Sequence, residues 1–381
     1  MKILFIIKSL EKGGAERYAL DLCLELNKRP DIEYKLLVLQ DGNDFEYLSS
    51  EVPFVKLDGP FVPSVWRKTY VNVEQYKKIV DEFKPDIIHT HLFRPELFTS
   101  IYVPENVAYV VHCHDNMVEF KNLSWKSFLK KILLTNFYEK RILVTKKYKK
   151  NKNTYFIANS PDTLEYFQNT VPSFLREKVV LIEYGFDFKR FYLPDKQQRP
   201  MNKKFSIVNV GRFERRKNQI FIVEIADILR KRNFDFEVNL LGVGECLDEV
   251  KEVVKKLKLE DHVFIRGNVN LVEEYLFESD IYLHSAYYEP FGLVLLEGMA
   301  AGLPCLILNG IGNRNLIKDD YNGYLFLEQN AEAFADKIME LAKNEKLLKG
   351  ISENAQSFAK TYDISEKTDE LIEFYKSIIV K

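Results

Sequence analysis

The feature that most constrains the fold of this chain is an alternation of short apolar strands with amphipathic helices, which runs through the first half, breaks once and starts again. Candidate strands in the first half are 2–7, 34–39, 54–57, 87–89, 109–112, 155–158 and 179–182. Between the first two, Ala15, Tyr18, Ala19, Leu22 and Leu26 recur at spacings of three and four, which marks one face of a helix. A polar stretch from about 193 to 204, with Pro194 and Pro200 and no periodicity, has the character of a linker. Strands then return at 205–210, 236–241, 263–265, 281–284, 305–308 and 324–326, with a helix over 218–232 whose Ile222, Ile225, Ala226 and Leu229 share a face. Alternation of this kind builds parallel sheets covered on both sides by helices. The expected class is α/β, with two doubly wound domains over 1–195 and 196–362 facing across a cleft, ligands lying outside the carboxyl ends of the strands. In the remainder, 363–381, Leu371, Phe374, Tyr375 and Ile378 follow helical spacing.

Composition agrees with two folded domains: 381 residues, 46% hydrophobic and 13% aromatic, are globular rather than disordered. Cys23, Cys113, Cys246 and Cys305 lack disulfide or metal spacing, so buried free thiols in a reducing compartment, the cytoplasm, are expected. The apolar run within Met1–Lys8 is too short for an export signal, and no segment reaches the roughly 18 apolar residues of a membrane span.

Chemistry concentrates in the run Glu289-Pro-Phe-Gly-Leu-Val-Leu-Leu-Glu297, which straddles a strand-to-helix turn. The amides of Gly292, Leu293 and Val294 at the helix start suit a phosphate. Glu289 and Glu297 can accept hydrogen bonds from hydroxyls of a sugar and a ribose. On spacing alone, a helix cap and a solvated surface acid explain the two glutamates as well. Gly13 and Gly14 follow the first strand, where backbone can approach a phosphate or sugar, although a glycine pair is also ordinary turn punctuation. Arg212, Arg215, Arg216 and Lys217 cluster at the opening of a helix. His89-Thr-His91 and His112-Cys-His114 place alternate histidines on one side of a strand, but three organised ligands are not evident and no metal is expected.

The segment from His262 to Pro304, HVFIRGNVNLVEEYLFESDIYLHSAYYEPFGLVLLEGMAAGLP, resembles the donor-binding core of the retaining nucleotide-sugar glycosyltransferases of family four, which have the GT-B fold of two Rossmann-like domains. Further matches follow in the family's order: Gly13-Gly-Ala-Glu-Arg17, Asp86-Ile-Ile-His-Thr-His91, His112-Cys-His-Asp115, Tyr184-Gly-Phe-Asp187, Gly211-Arg-Phe-Glu-Arg-Arg-Lys217 and Leu241-Gly-Val-Gly244. The resemblance implies a retaining, metal-independent hexosyl- or N-acetylhexosaminyl-transferase. Its donor would be a nucleotide sugar, foremost a UDP-sugar, bound as substrate with no cofactor. The acceptor would be a glycan or lipid-linked molecule of bacterial envelope polysaccharide or glycolipid synthesis, and no nucleic acid is involved. By the same resemblance Arg212 and Lys217 neutralise the leaving diphosphate, and Glu289 holds the donor sugar. His114 faces the sugar and acceptor, and Glu297 binds the ribose. Gly13, Gly14, Gly211, Gly244, Phe291, Gly292, Leu293 and Val294 line the donor, with Val263 and Ile265 meeting the base through backbone. It also implies that the last helix crosses back onto the first domain. Tyr184 stands where the family has asparagine, and Asn315 where an acid is common. The ordered motifs disfavour a phosphorylase or epimerase of similar shape, and the intact charged residues argue against a non-catalytic nucleotide-sugar-binding paralogue.

Between Ser124 and Asn153 ten cations face the single acid Glu139, a formal charge of +9, and Trp125, Phe128, Leu129, Ile132, Leu133, Phe137 and Tyr138 are interleaved with the first of them. A basic amphipathic helix of this kind suits an anionic membrane surface, here the inner face of the cell membrane, although a helix covering the first domain's sheet would carry a similar pattern.

Overall fold

The computed structural model describes residues 1–11, 13–57, 73–121, 131–194 and 204–379. Two compact units result, one of Met1–Gly185 with Ile364–Lys381 and one of Phe186–Asp363. All thirteen expected strands are present, seven in the first unit and six in the second.

In the first unit β1 (Lys2–Ile7), β2 (Glu33–Val38), β3 (Phe54–Lys56), β4 (Ile87–His91), β5 (Ala108–Cys113), β6 (Thr154–Ala158) and β7 (Val179–Leu181) form a parallel sheet in the order β3-β2-β1-β4-β5-β6-β7. Both faces are covered, so β1, β4 and β5 are almost continuously buried rather than alternating. The helix Gly14–Leu26 lies against the last helix, Ile364–Ile378, whose Leu371, Ile372, Tyr375 and Ile378 are buried. Arg29 joins the two, with Nη2 2.7 Å from Asp369 and Nη1 2.8 Å from Glu25.

In the second unit β8 (Phe205–Val210), β9 (Phe236–Leu241), β10 (Val263–Gly267), β11 (Ile281–His284), β12 (Cys305–Leu308) and β13 (Gly323–Phe326) run parallel in the order β10-β9-β8-β11-β12-β13. That is the nucleotide-binding order of a Rossmann domain, with its switch point between β8 and β11.

The first unit ends at Gly185 and not at 195, which corrects the boundary expected from the polar stretch. The reason is apolar: Phe186, Phe188 and Phe191 are buried, and the short helix Phe188–Phe191 packs on Val272–Glu278 and Leu293–Ala300 of the second unit. Asp187 caps that helix by accepting from the Arg190 N–H at 3.2 Å, and Arg190 pairs with Glu273 at 3.0 Å. Residues 195–203 of the expected linker lie outside the described residues.

Strand β4 runs two residues past the expected 87–89, which puts His89 and His91 on one face, beside His112 and His114 from β5 and its end. Four fully buried or nearly buried imidazoles form two hydrogen-bonded rows. In one, Tyr375 meets His89 Nδ1 and His89 Nε2 lies 3.1 Å from His112 Nδ1. In the other, Tyr184 meets His114 Nδ1 and His114 Nε2 lies 2.8 Å from His91 Nδ1. Burial, reinforced for His89, His112 and His114 by the neighbouring imidazoles, holds all four well below the ordinary histidine range, His91 at about 3.

The unfolded chain therefore binds protons below pH ~6.5 that the folded domain refuses, so stability falls as pH drops through that value. His91, at about 3, should by itself cost the first domain about 2 kcal/mol by pH 5, and the other three histidines act in the same direction. Urea melts followed by circular dichroism from pH 7.5 to 5 check this; an unchanged midpoint would show that the imidazoles take up protons in place.

Candidate active site

The second unit's site begins where its two central strands part. Strands β8 and β11 pair only at Ile207–Ile281 and Val208–Tyr282, so their carboxyl ends splay at the switch point. Side chains satisfy the backbone released there: Asn209 Nδ2 donates to Leu283 O at 2.8 Å, and the Tyr282 hydroxyl meets both the N–H and the O of Val210 at 3.1 and 3.0 Å. A Rossmann sheet binds ligands in this crevice.

Three loops meet at it. The loop after β8 makes a single turn, Arg215–Lys217, before the helix Gln219–Lys231. The loop after β11 is tied to it by Ser285 Oγ donating to Lys217 O at 2.7 Å and Tyr287 N donating to Arg216 O at 2.9 Å. The loop after β12 joins through Glu289 N to Ile311 O at 3.1 Å and Ile311 N to Tyr287 O at 3.2 Å. This framework brings Lys217 and Glu289 into a direct ion pair at side-chain exposures of 11% and 14%. Burial alone would push the Glu289 carboxyl up; Lys217, with Arg216 behind it, outweighs burial and holds the carboxyl below its ordinary range. Arg212 is 60% exposed and lies 3.8 Å from Glu214 within the same loop.

Gly292 supplies the turn into the helix Leu293–Ala300 at φ +102, a left-handed conformation that favours glycine. Among the described residues no side chain caps this helix, and its first turn carries no acid, so the amides of Gly292, Leu293 and Val294 keep their affinity for an anion. Glu297 lies on the same helix, half-buried, while Phe291 is buried against Tyr362. Gly211 begins the loop that carries Lys217, its N–H donating to Leu241 O at 2.9 Å. Gly244 has a packing duty: a Cβ there would lie 2.4 Å from Phe213 O. Val263 and Ile265 lie on β10, the edge strand beyond β9, with Val263 buried.

In the first unit, Gly13 has extended backbone and precedes the helix Gly14–Leu26, and Gly14 faces open space, since a Cβ there meets nothing within 4 Å. His114 is buried with both ring nitrogens engaged, by Tyr184 and by His91. Tyr184, the departure from the family's asparagine, is therefore a direct partner of His114. Among the described residues His89, His91 and His112 have nitrogen atoms within 4.8 Å of one another, the one group able to hold a metal. The exchange of hydrogen bonds between His89 and His112 and between His91 and His114 already occupies part of that donor set. A cavity of about 230 Å³ opens at the carboxyl ends of β1, β4 and β5, lined among others by Lys8, Leu92, Arg94, Asp115, Met117 and Glu119. Leu92 forms its wall at φ +72 and ψ 173, a conformation nearly reserved for glycine and concentrated at functional sites.

The basic segment is less uniform than its sequence. Residues 124–130 lie outside the described residues. Lys147 is fully buried, 2.6 Å from Glu96, and Lys140 donates to the carbonyls of Phe120 and Thr170 at 2.8 and 2.7 Å, so neither contributes to an outward charge of +9. Lys146, Lys149 and Lys150 are exposed, as are Ile132, Phe137 and Tyr138. Among the described residues no helix is long and apolar enough to cross a membrane, and all four cysteines are buried and free.

Two polar residues of the second unit escaped the sequence reading. His284, the last residue of β11, lies 3.7 Å from the Glu289 carboxylate, and Asn313 has its Cβ beside Gly292; both are buried, with no hydrogen-bond partner for their side chains among the described residues. Only the position of His284 at the end of a switch-point strand could have flagged it.

Residues 193–358 match the family described as glycosyl transferases group 1, and residues 12–190 match glycosyltransferase family 4. An N-acetylgalactosamine-N,N'-diacetylbacillosaminyl-diphospho-undecaprenol 4-alpha-N-acetylgalactosaminyltransferase of Campylobacter jejuni is 23% identical over 370 residues, 95% of this chain and 96% of its own. A UDP-Gal:alpha-D-GlcNAc-diphosphoundecaprenol alpha-1,3-galactosyltransferase of Escherichia coli is 22% identical over 391 residues, 97% of this chain and 95% of its own. The Anabaena HepE structure in complex with UDP and glucose superposes with a TM-score of 0.77 at 20% identity, over 99% of this chain and 100% of that one. At such identity the likeness establishes the fold, which is GT-B. With its first domain matched by one glycosyltransferase family and its second by another, over nearly its whole length, the chain belongs to the glycosyltransferases of family four.

Proposed function

We propose that this glycosyltransferase moves a hexosyl or N-acetylhexosaminyl group, with retention of configuration and without a metal, from a nucleotide-diphosphate donor to a glycan or lipid-linked acceptor. The donor read most readily from the relatives is a UDP-sugar, since UDP is the nucleotide named with the Anabaena structure and the Escherichia coli enzyme. The setting is bacterial envelope polysaccharide or glycolipid synthesis, in keeping with the undecaprenol-linked acceptors named for two relatives. The observation that carries the reading is the joining of Lys217, Glu289 and an uncapped helix start at the switch point of a Rossmann domain.

In this reading the acceptor hydroxyl attacks the anomeric carbon from the face that the diphosphate leaves. The bond from that carbon to the phosphate oxygen breaks as the new one forms, and the acceptor's proton passes to the leaving oxygen. No side-chain nucleophile is needed. Arg212, Lys217 and the amides of Gly292, Leu293 and Val294 stabilise the negative charge that grows on the diphosphate, the role a divalent cation fills in other enzymes. Glu289 holds sugar hydroxyls and Glu297 the ribose, while Gly211, Gly244, Phe291 and the backbone of Val263 and Ile265 frame the nucleotide. The cavity at Leu92 and Asp115, with Gly13, Gly14 and His114 on the same sheet's carboxyl side, is assigned to the acceptor. Lys146, Lys149 and Lys150, beside exposed Ile132, Phe137 and Tyr138, are assigned to the anionic inner face of the cell membrane, from a cytoplasmic protein.

Lys217→Ala and Arg212→Ala should each lower kcat/KM by about 30- to 1,000-fold, corresponding to ~2–4 kcal/mol of lost transition-state stabilisation. Thermal midpoints should move little by comparison, and near-native turnover in both variants would remove the assignment. For the membrane, sedimentation with anionic liposomes at low and high salt should show salt-sensitive binding of the wild type. That binding should be lost when Lys146, Lys149 and Lys150 are changed to Glu. Lys147 must stay intact in this test, because an acid there would oppose the buried Glu96. Wild-type protein remaining in the supernatant at low salt would favour a soluble acceptor.

A further inference from the structure

Lys217 and Glu289 have different duties toward a donor, one to the diphosphate and one to the sugar, yet they are bonded to each other. Were Lys217 to turn toward a diphosphate, Glu289 would be left as a largely buried anion with its cation drawn away, which is costly.

The surroundings contain what is needed to prevent this. His284 is 1% exposed, neither ring nitrogen has a hydrogen-bond partner among the described residues, and Nε2 lies 3.7 Å from Glu289 Oε2, just beyond bonding reach. Burial, with Lys217 adding to it and Glu289 opposing, lowers its pKa to about 4, so the ring is a neutral donor and acceptor. Asn313 is fully buried, and neither its side-chain oxygen nor its nitrogen has a partner among the described residues. The point that a side chain on Gly292 would occupy is 3.2 Å from Leu295 Cδ1, 3.4 Å from Asn313 Cβ and 3.6 Å from Glu289 Cγ, and the same point on Gly310 is 3.0 and 3.2 Å from Asn313 Oδ1 and Nδ2, so Asn313 runs from the helix start to Gly310 with Glu289 beside it. Unpartnered buried polar atoms are costly and call for an explanation. A neutral imidazole and a carboxamide together offer both donors and acceptors, which matches a sugar's hydroxyl or acetamido groups better than a bare anion.

We propose that His284 and Asn313 complete the subsite for the transferred sugar: a His284 N–H takes over the Glu289 carboxylate as Lys217 turns to the diphosphate, and the Asn313 carboxamide bonds a hydroxyl or acetamido group of that sugar. The inference rests on the nucleotide-sugar reading above. His284 acts through Glu289 and is a positioning residue, whereas Asn313 contacts substrate and sets specificity.

The test starts with a thermal-shift panel of UDP, GDP and ADP and their glucose conjugates, with UDP-N-acetylglucosamine added, on the full chain. The pair that stabilises most is then carried into calorimetry. Wild type should bind the conjugate more tightly than the bare nucleotide. His284→Leu and Asn313→Ala should each lose at least tenfold in conjugate affinity while holding the bare nucleotide within twofold, and His284→Gln, which keeps an N–H near the same place, should recover most of the loss. Asn313→Ser serves if the alanine variant does not fold. Equal losses for both ligands, or none for either, would show that the two residues serve only packing. A wild type that gains nothing from the sugar would also overturn the inference. If no nucleotide or conjugate stabilises the wild type, the donor reading itself falls and this inference with it.

Discussion

The second domain is organised around the largely buried pair of Lys217 and Glu289. A buried ion pair is weak evidence for stability, because replacing it with apolar side chains is often neutral or better. Its persistence in a crevice at a strand switch point makes sense as function: two opposite charges kept dry and close to where a ligand with both a diphosphate and hydroxyls would lie. The strands must splay for the crevice to exist, so Asn209 and Tyr282 take up the backbone groups released. The loops must hold the pair, so Ser285, Tyr287 and Glu289 hydrogen-bond across them.

The first domain shows a different economy of polar groups. Its centre holds four histidines in two rows that end on Tyr184 and Tyr375, one from the segment after β7 and one from the last helix. Neutral imidazoles bonded to each other satisfy most of their own polarity, which permits such a cluster in a dry interior. Lys147 and Glu96 apply the same principle with charges.

Much of this was legible in the letters. Parallel strands buried on both faces read as continuous apolar runs, which is why Phe205–Val210, Phe236–Leu241 and Cys305–Leu308 could be placed to the residue. The Glu289-to-Glu297 run was legible because a strand end, a glycine and a helix start are all local in sequence. What stayed hidden depends on distant partners. Lys147 looks like nine other cations until Glu96 is folded against it, and Phe188 and Phe191 look like the tail of the first domain until the second domain's helices receive them. His284 and Asn313 were silent because an unsatisfied hydrogen bond is a property of the packed site and leaves no spacing behind.

The central claim is that the charges of the Lys217–Glu289 pair serve opposite ends of one donor. A crystal structure with a phosphonate analogue of the nucleotide sugar that most stabilises the chain tests it directly. The account predicts Lys217 Nζ within hydrogen-bond distance of a phosphate oxygen and the Glu289 carboxylate on a sugar hydroxyl. An analogue bound with the Lys217–Glu289 pair still closed, and its diphosphate held elsewhere, would contradict it.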